Sequence, residues 1–475
     1  MTLRVPNLPF VSRSQIDKAL IALDRAVGPS KLLLDAEARA PYARDDSPAQ
    51  GRLPDVVVLA ESREDVLAVL RIAEAHDVPV TPRAAGTGRT GGAVPVAGGI
   101  VLSMNALDRV VDLDRREMVV VVQPGLKTGA LHALAEAEGL FYPPDPSSAA
   151  DCTLGGNAAE NAGGPRAFKY GVTRDYVLGT ETALIGGRAL RTGRRTVKGV
   201  TGYDVTALLV GSEGTLGVFT ELTLRLVPEP RTVATVLVLF TDVHGAAAAV
   251  SRIVCGGLVP RCLELLDALT LDAVRKDGVS IDPRAGAMLL LEVDGEDAHG
   301  QAERLGELVV SCAGVLDVLT AQDAAQRARL WEARKKLSYA TRKLAKHKLS
   351  EDVVVPRTKI PDLLARVDAI GAQHRVRHLA YGHAGDGNLH VNFLWDDDDE
   401  APRVDAAIGA LMRATIELGG TLSGEHGIGL AKAPYLHLEQ SEELIEVQRG
   451  LKRVFDPRGL LNPGKIFPQT GHRGC

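Results

Sequence analysis

The first third of the chain alternates short apolar runs with helical patterns. Asp55–Ala60 has the composition of a buried strand, and Ser62-Arg-Glu-Asp65 directly after it is a helix N-terminal signature. Apolar residues then recur on one side of a helix that ends near His76, and Val78–Pro82 supplies the next strand. This alternation predicts an α/β arrangement.

The same pattern continues to a proline-marked boundary. Thr128–Gly139 is predicted to be a helix ended by its glycine. The two prolines of Pro228-Glu-Pro230 indicate the end of a domain. The further strands predicted before it are Ile100–Ser103, Val110–Val111, Met118–Val122, Thr180–Leu184, Leu190–Thr192 and Leu222–Val227.

Three segments follow from these patterns. Residues 1–230 are expected to form two α/β subdomains, and residues 231–420 an inserted α+β domain of ferredoxin-like character. Residues 421–475 are expected to return to the first domain, because Arg453–Phe467 is turn-rich and apolar, unlike a free tail.

Two glycine-rich stretches stand out within the first segment. Asp151–Gly171 and Pro82–Gly92 both concentrate glycine, which costs backbone entropy and therefore suggests positive φ angles or close backbone approach. Local composition alone favours a surface loop for Asp151–Gly171, and the second glycine-rich stretch shifts that balance. A glycine loop directly after a strand can also bind an anion through its backbone amides. A GxGxxG spacing starts at Gly86, but no helix with a ribose-binding acid clearly follows it, so this is not the dinucleotide-binding fingerprint. Together the two stretches suggest one long phosphate-bearing ligand.

Composition excludes several classes of protein. A net charge of −5 and 4% aromatic residues argue against nucleic-acid binding. The five cysteines lack C-x-x-C spacing and predict no disulfide framework, zinc ribbon or iron–sulfur centre. The first residues, Met1–Pro6, lack a signal-peptide core, and no apolar run approaches ~18 residues. A cytoplasmic protein is expected, with peripheral membrane association only through a partner.

The second segment contains a histidine-rich hairpin motif between Tyr381 and Asn392. Asp386-Gly387 favours a two-residue turn, which would place His383 directly opposite His390 at ~5 Å between Cβ atoms. Asn392 shares that face. Two facing imidazoles are half of a metal site; a pair of surface histidines is the alternative.

Gly419–Gly429 supplies further chemistry. Glu425 is a candidate carboxylate ligand, and His426 a neighbouring base held between glycines. The alternative is a glycine-rich turn with an ion-paired glutamate. Arg334, on a predicted helix, is a candidate carboxylate clamp, although such an arginine is more often solvated or ion-paired.

The motifs of both halves of the chain resemble those of a known family. The chain is similar to the FAD-linked oxidases of the vanillyl-alcohol oxidase / p-cresol methylhydroxylase type, in the branch that contains the flavin subunit of glycolate oxidase, D-lactate dehydrogenase and D-2-hydroxyglutarate dehydrogenase. The resemblance covers nearly the whole chain. It rests on the motifs Pro82-Arg-Ala-Ala-Gly-Thr-Gly88, Pro144-Asp-Pro-Ser-Ser148, Gly155-Gly-Asn157, Asn161-Ala-Gly-Gly164, Lys169-Tyr-Gly-Val-Thr-Arg-Asp175, Gly211-Ser-Glu-Gly-Thr-Leu-Gly217, Gly382-His383, Gly385-Asp-Gly-Asn-Leu-His390, Gly424-Glu-His-Gly-Ile-Gly429 and Leu461-Asn-Pro-Gly-Lys465.

The resemblance implies a two-part FAD-binding domain with an α+β cap, and non-covalent FAD. By analogy, the first glycine loop holds the pyrophosphate. The residues expected to line FAD are Pro82, Arg83, Ala84, Gly86, Thr87, Gly88, Arg89, Thr90, Gly91, Pro144, Ser148, Thr153, Gly155, Gly156, Asn157, Asn161, Gly163, Gly214, Gly217, Val218 and Asn462.

The function expected from residues and resemblance together is oxidation of a small D-2-hydroxy acid. A divalent metal, for which zinc is expected, would bind His383, His390 and Glu425 and acidify the substrate hydroxyl. His426 would take the hydroxyl proton, and hydride would pass to the flavin. Arg334 and Asn392 would position the carboxylate. Adjacent Glu425 and His426 leave open which of them is the third ligand.

One departure from the family bears on the substrate. In hydroxyglutarate-type members a lysine stands shortly before an aspartate of the cap, whereas Ser350-Glu-Asp352 carries Ser and Glu there. This favours D-lactate or glycolate over a dicarboxylate. The acceptor is expected to be external, such as an iron–sulfur subunit, a quinone or an electron-transfer flavoprotein, and a homodimer is left open. The alternatives are a D-2-hydroxyglutarate dehydrogenase, a flavin subunit of a multi-subunit glycolate oxidase, an oxidase of alcohols or sugars, and a zinc hydrolase.

Overall fold

The chain forms two compact units in a computed structural model that describes residue 8 and residues 11–467. The central unit comprises Gly163–Gly171 and Pro230–Gly424. The terminal unit comprises the preceding chain up to Ala162, the segment Val172–Glu229, and the chain from Glu425 onward. The N-terminal residues considered above as a possible signal sequence lie outside the described residues.

The secondary structure is mixed throughout. The helices are α1 (Arg13–Val27), α2 (Ala36–Arg39), α3 (Arg63–His76), α4 (Thr128–Ala137), α5 (Leu154–Glu160), α6 (Ala167–Tyr170), α7 (Val205–Leu209), α8 (Val243–Cys255), α9 (Ala268–Lys276), α10 (Ala298–Val310), α11 (Ala324–Leu330), α12 (Glu332–Arg342), α13 (Ile360–His374), α14 (Ala401–Glu417), α15 (Leu436–Glu439) and α16 (Glu442–Phe455). The strands are β1 (Leu32–Leu33), β2 (Val56–Leu59), β3 (Val80–Arg83), β4 (Ile100–Ser103), β5 (Val110–Asp114), β6 (Val119–Val122), β7 (Leu140–Phe141), β8 (Val177–Leu184), β9 (Arg188–Gly193), β10 (Val218–Arg225), β11 (Val227–Pro228), β12 (Val233–Phe240), β13 (Cys262–Asp267), β14 (Ala287–Asp294), β15 (Val315–Thr320), β16 (His347–Val354), β17 (Arg377–His383) and β18 (Asn388–Trp395).

The terminal unit contains two main sheets. The first has the order β1-β2-β4-β3, with β2, β4 and β3 parallel. The second is antiparallel, with the order β5-β6-β10-β8-β9. Helix α3 begins at Ser62, whose hydroxyl accepts from the N–H of Asp65, and the Asp65 carboxylate in turn accepts from the N–H of Ser62. Val66, Val69 and Leu70 of this helix are fully buried in the core beside the first sheet. Parallel strands covered by helices are what the strand–helix alternation predicts.

The C-terminal segment extends the first sheet. The N–H of Val80 donates to Leu460 O at 2.8 Å, and the N–H of Asn462 donates to Val80 O at 2.7 Å. Leu461 is fully buried between them. Residues more than 370 positions apart in sequence thus share one strand pairing, and this fixes Asn462 beside the start of the first glycine loop.

The central unit is built on a seven-stranded antiparallel sheet with the order β15-β12-β14-β13-β17-β18-β16. Every residue of β14 and β18 is buried, so both faces of these strands are covered. The site described below lies on four neighbouring strands, β13, β17, β18 and β16. No helix within the described residues is long and apolar enough to cross a membrane.

Candidate functional site

The first glycine loop of the terminal unit begins at the end of β3 and packs against the segment that follows His426. Leu430 N–H donates to Thr90 O at 2.7 Å, and the Thr90 hydroxyl donates to His426 O at 3.0 Å. Gly91 has φ +85°, and a Cβ there would lie 2.9 Å from the side chain of Leu430. Glycine is therefore required at this position, both by the backbone conformation and by the close approach.

The second glycine stretch is partly helical rather than a continuous loop. Thr153 caps α5 by accepting from the N–H of Gly156, and Asn161 ends it in the left-handed conformation, with φ 55°. A Cβ on Gly155 would lie 2.4 Å from Pro124 Cβ, so this glycine lets α5 pack closely. The Asn157 side chain donates to the Thr128 hydroxyl at 2.7 Å. Gly163, expected to line FAD, belongs to the central unit.

Sequence reasoning missed a buried charged cluster behind the first loop. The Glu213 carboxylate accepts from the N–H groups of Ile428 and Gly429 at 2.8 and 2.7 Å. Lys465 Nζ donates to Val94 O at 2.7 Å and to Asn462 Oδ1 at 3.1 Å. Asn462 Nδ2 also donates to Glu213 O at 2.7 Å, so Glu213 links the chain after His426 to the C-terminal segment. Glu213 and Lys465 lie in quoted motifs, but only the fold assigns them this role.

Burial controls the ionisation of this cluster. It raises the pKa of Glu160 well above its ordinary range, and the nearby Glu213 carboxylate adds to the effect. Burial also raises the pKa of Glu213, opposed by its two backbone donors, and lowers the pKa of Lys465 to about 7. The Glu160 carboxyl fills space that a Cβ on Gly427 would need, at 2.3 Å. Glycine therefore directly follows His426 for a steric reason.

The histidine hairpin of the central unit forms, but its predicted register is wrong. His390 lies opposite Tyr381, and the last pair is His383 with Asn388, so the turn has four residues, not two. The turn is bonded to neighbouring chain instead: the N–H of Gly385 donates to Leu263 O at 3.2 Å, and the N–H of Val355 donates to Gly387 O at 3.1 Å. The two histidines still share a face, diagonally, with ring centroids 5.3 Å apart and planes at 86°.

Glu264, which sequence reasoning missed, orients His383. It lies opposite His383 on β13 and contacts His383 Nδ1 at 2.5 Å through Oε1. Its other oxygen accepts from Arg334 Nε at 2.5 Å. Burial opposes ionisation of Glu264, but the charges and hydrogen bonds of His383 and Arg334 outweigh it and lower its pKa to about 2. The only sequence signal was one acid in the apolar run Cys262–Leu266.

Asp352 ties the far edge of the hairpin to the end of the central unit. It lies opposite His390 on β16, and it accepts from Asn388 Nδ2 at 2.5 Å. It also accepts from the Ser423 hydroxyl at 3.2 Å and from the N–H of Gly424 at 2.9 Å. Asp352 is fully buried. This carboxylate therefore fixes the two residues that precede Glu425.

Asn392, also predicted from the sequence, is fully buried on the same face as His390. Its Nδ2 donates to His390 O at 2.8 Å. Within residue 8 and residues 11–467, its Oδ1 has no hydrogen-bond partner. A buried, unsatisfied acceptor is uncommon in a folded protein and suits a ligand donor.

Only part of the predicted metal-binding and catalytic residues therefore lies within a single unit. His383, His390, Asn392 and Arg334 all lie in the central unit, with Arg334 paired to Glu264. Glu425 and His426 belong to the terminal unit and are half-buried, with His426 Nε2 3.9 Å from Glu425 Oε1.

Comparison with known proteins defines the class. The chain matches the FAD binding domain over residues 54–193 and the C-terminal domain of FAD linked oxidases over residues 229–466. Its fold is that of p-cresol methylhydroxylase with substrate bound, at a TM-score of 0.80 and 16% identity over 96% of this chain and 97% of that one. The predicted fold class, a FAD-binding domain of this type with an α+β cap, is confirmed.

Curated relatives narrow the group. The chain is 39% identical to glycolate oxidase subunit GlcD of Bacillus subtilis (strain 168) over 94% of this chain and 96% of that protein. It is 35% identical to D-lactate dehydrogenase of Anaerostipes hadrus over 95% of this chain and 98% of that protein. The chain belongs to the FAD-linked oxidase family, as an FAD-dependent oxidoreductase of the glycolate oxidase, D-lactate and D-2-hydroxyglutarate dehydrogenase group.

Proposed function

We propose that the protein oxidises a small D-2-hydroxy acid to its 2-oxo acid, using FAD and a divalent metal, and passes the electrons to an external acceptor. The observation that carries the proposal is the buried pair His383 and His390, with Glu264 bound to His383 and the unsatisfied Asn392 oxygen on the same face. This oxygen requires a donor that the described protein residues do not supply.

The histidine pair fits a metal. Glu264 engages His383 at Nδ1, so His383 would bind a metal through Nε2, the usual carboxylate–histidine arrangement behind a protein-bound metal. We assign His383, His390 and Glu425 as ligands, with zinc as the expected ion. Glu425 is included because it directly follows Gly424, which Asp352 anchors. The bound metal would act as a Lewis acid that lowers the pKa of the substrate hydroxyl.

His426 is the proposed general base. Its carbonyl is held by Thr90, and the next residues are held by Glu213. These contacts hold the backbone at and just after His426, which limits the movement of its imidazole, as proton transfer over hydrogen-bond distance requires. His426 would accept the substrate hydroxyl proton.

The substrate's polar groups would meet Asn392 and Arg334. Because Asn392 Nδ2 is committed to His390 O, its Oδ1 would accept from a protonated group at the site rather than bind the substrate carboxylate directly. Arg334 Nε donates to Glu264, and we assign Arg334 as the residue that positions the substrate carboxylate. FAD, when bound, supplies the two-electron acceptor for the hydrogen on C2.

We assign FAD to the terminal unit, because the FAD binding domain match lies mostly within it. The residues proposed to line the flavin are those expected from the resemblance, beginning with the loop from Pro82 to Gly91. The same assignment makes the central unit the substrate domain.

A second candidate, D-2-hydroxyglutarate, is favoured by the position of Lys348. Ser350, where the family's lysine would stand, lies opposite Asn392. Lys348 is two residues earlier on the same strand and face, and its Nζ donates to the Thr341 hydroxyl at 2.6 Å, beside Tyr381. This ammonium could bind a distal carboxylate in place of the missing lysine.

The test is anaerobic flavin bleaching at ~450 nm by D-lactate, glycolate and D-2-hydroxyglutarate. D-lactate and glycolate should reduce the flavin faster than D-2-hydroxyglutarate does. Faster bleaching by hydroxyglutarate that Lys348→Met abolishes, while D-lactate oxidation persists, would establish the second candidate. No bleaching by any D-2-hydroxy acid would reject both.

The relatives support an external acceptor. The name of the Bacillus subtilis relative identifies it as one component of a glycolate oxidase. We propose that this chain likewise delivers its electrons outside itself, because no iron–sulfur cysteine motif is present in its sequence. An iron–sulfur subunit, a quinone and an electron-transfer flavoprotein are the candidate acceptors.

A further inference from the structure

The loop between β9 and α7 of the terminal unit, residues 194–203, exposes three apolar side chains. Val197, Val200 and Tyr203 are 98%, 99% and 98% exposed. Every residue of this 194–203 loop except Gly199 is exposed. Single apolar residues are common on protein surfaces, but three with almost full exposure within seven positions indicate an interaction site.

Both ends of the 194–203 loop are fixed to the rest of the unit. The N–H of Arg194 donates to Leu178 O at 3.0 Å, and a Cβ on Gly199 would lie 2.3 Å from the Arg194 side chain. At the other end, the Asp204 carboxylate accepts from the N–H of Ala207 at 3.0 Å and caps α7. Fixed ends reduce the conformational entropy that the loop loses when its apolar residues bind a partner.

The charge of the loop is basic. It carries Arg194, Arg195 and Lys198 and no acidic residue. Arg195 pairs with Asp112 at 3.0 Å, but both side chains are about half exposed, so water weakens this pair. Within residue 8 and residues 11–467, Arg194 and Lys198 form no ion pair. In a chain with a net charge of −5, this local excess of positive charge favours an anionic partner.

The apolar and basic residues together fit the surface of an anionic lipid bilayer. Apolar side chains enter the boundary between headgroups and acyl chains, tyrosine is favoured at that depth, and Arg and Lys are attracted to anionic headgroups. A specific protein interface instead buries about 800 Å² on each partner around a packed apolar centre. Side chains that are each at least 98% exposed do not pack on one another, so the loop supplies no such centre.

We propose that the 194–203 loop binds the terminal unit directly to an anionic membrane, with Val197, Val200 and Tyr203 at the headgroup boundary and the basic side chains on lipid phosphates. The sequence alone led us to expect membrane association only through a partner. Because FAD is assigned to the terminal unit, direct binding favours a membrane-dissolved quinone among the candidate acceptors. The lipid contact itself does not depend on the proposed substrate or metal.

The first test is flotation of the full-length, FAD-loaded protein with phosphatidylcholine vesicles that contain about 30% phosphatidylglycerol. Binding is expected, with at least about 10-fold weaker binding to pure phosphatidylcholine. Raising the salt from ~0.05 M to ~0.5 M should release the protein, because salt screens the basic side chains. Failure to bind the anionic vesicles at ~0.05 M salt, or equal binding to both kinds of vesicle, would overturn the proposal.

A triple variant tests the apolar contribution. Val197→Ser, Val200→Ser and Tyr203→Ser together should weaken binding to the anionic vesicles at least about 10-fold, because the inserted apolar area is lost. Val447→Ser with Val454→Ser is the matched control, since these valines are 62% and 73% exposed but lie on α16, and it should change nothing. Circular dichroism and flavin content verify that the variants fold.

A double variant tests the basic contribution. Arg194→Gln with Lys198→Gln should weaken binding about 30-fold, because each basic residue near an anionic surface contributes a factor of about 5. Arg329→Gln with Lys335→Gln removes two exposed basic residues of the central unit and should leave binding unchanged. Loop variants that bind as tightly as the unsubstituted protein would reject the proposal.

Tyr203→Trp adds a spectroscopic readout. Its emission should shift to shorter wavelength with the anionic vesicles and be quenched by brominated lipid, because the ring leaves water. Trp331 and Trp395 of the unsubstituted protein give the background. Vesicle binding without this shift and quenching would show that another surface makes the contact, and would also reject the proposal.

Discussion

The positions of individual side chains decide which residues carry the proposed chemistry, and Glu264 is the clearest case. Its carboxylate joins His383 to Arg334 in the core of the central unit. An arginine expected to bind substrate is thus held by a protein acid that the sequence did not single out. The role of Arg334 in binding substrate stays a prediction.

Replacing Glu264 should weaken metal binding. Glu264→Gln and Glu264→Ala remove the charge that fixes the His383 ring, and losses of this kind typically cost 10–100-fold in affinity. Titration of metal-free protein with zinc, followed calorimetrically, measures the change without any need for turnover. Glu292→Gln is the control, because Glu292 is a buried strand glutamate that contacts Trp331 and Thr235 instead. Unchanged zinc affinity in the Glu264 variants would contradict the assignment.

Substitution of Glu425 and His426 should separate ligand from base. Glu425→Ala should lose metal, whereas His426→Ala should keep metal and lose ~10²–10⁴-fold in the flavin reduction rate. Higher pH should restore part of that rate if hydroxide replaces the imidazole. Metal analysis of both purified variants is the measurement. Metal lost from His426→Ala but retained by Glu425→Ala would exchange the two roles.

At the scale of elements, local sequence signals predicted the start of a helix correctly where its cap is formed within the helix itself. They predicted a turn wrongly where contacts with neighbouring chain set its length. Helix α3 begins where the Ser62 signature placed it, because both hydrogen bonds of the cap are formed within four residues. The two-residue Asp-Gly turn did not form, and the backbone of the longer turn is bonded to Leu263 and Val355 of neighbouring chain. Leu154–Glu160 is a helix despite two glycines, because Thr153 caps it and Gly155 lets it pack on Pro124.

The α3 cap predicts a pH dependence of stability. Burial would raise the pKa of Asp65, but the hydrogen bonds from Lys31, Glu61 and Ser62 outweigh it and lower the pKa. A lowered carboxyl pKa stabilises the fold above the unfolded value, ~3.9, and this stabilisation is lost as pH falls through the folded value. Asp65→Asn should therefore lower the free energy of unfolding by ~1–2 kcal/mol at pH 7, and by much less near pH 3.

Urea unfolding at the two pH values, followed by circular dichroism, checks this. Glu64→Gln, in the same helical turn but exposed, is the control and should change little at either pH. An equal loss for Asp65→Asn at both pH values would show that the charge of Asp65 is not what stabilises the cap.

At the scale of the whole molecule, the order of segments along the chain differs from their grouping in space. The central unit takes in Gly163–Gly171 as well as Pro230–Gly424, and the terminal unit is assembled from three stretches. Lys169 and Tyr170 of the short inserted stretch bind Asp294 of β14. The glycine-rich region that seemed a single ligand loop is therefore divided between two units.

The whole chain should carry non-covalent FAD. Acid precipitation should release a yellow cofactor that chromatography identifies as FAD, because two separate glycine stretches suit a ligand longer than FMN. Gly91→Val should lower the flavin content, because Gly91 has φ +85° and packs on Leu430. Gly257→Val is the control, because Gly257 also has a positive φ but lies outside the loop. Release of FMN, or flavin that stays with the precipitated protein, would contradict the prediction.

The sequence by itself determined the family, the α+β fold with a FAD domain, the main strands and helices of the first segment, and the candidate residues of the site. These depend on short motifs and on periodicity, which are local and survive in one dimension. The histidine pair was predicted on a common face because alternation along a strand is local as well.

Only the tertiary structure decided the register of that pair and the identity of its supporting residues. Glu264 reaches His383 across 119 positions, and Glu213 reaches Gly429 across 216. Such contacts depend on which strands become neighbours and on which glycine a neighbouring backbone approaches. Both are properties of packing, and no window of the sequence contains them.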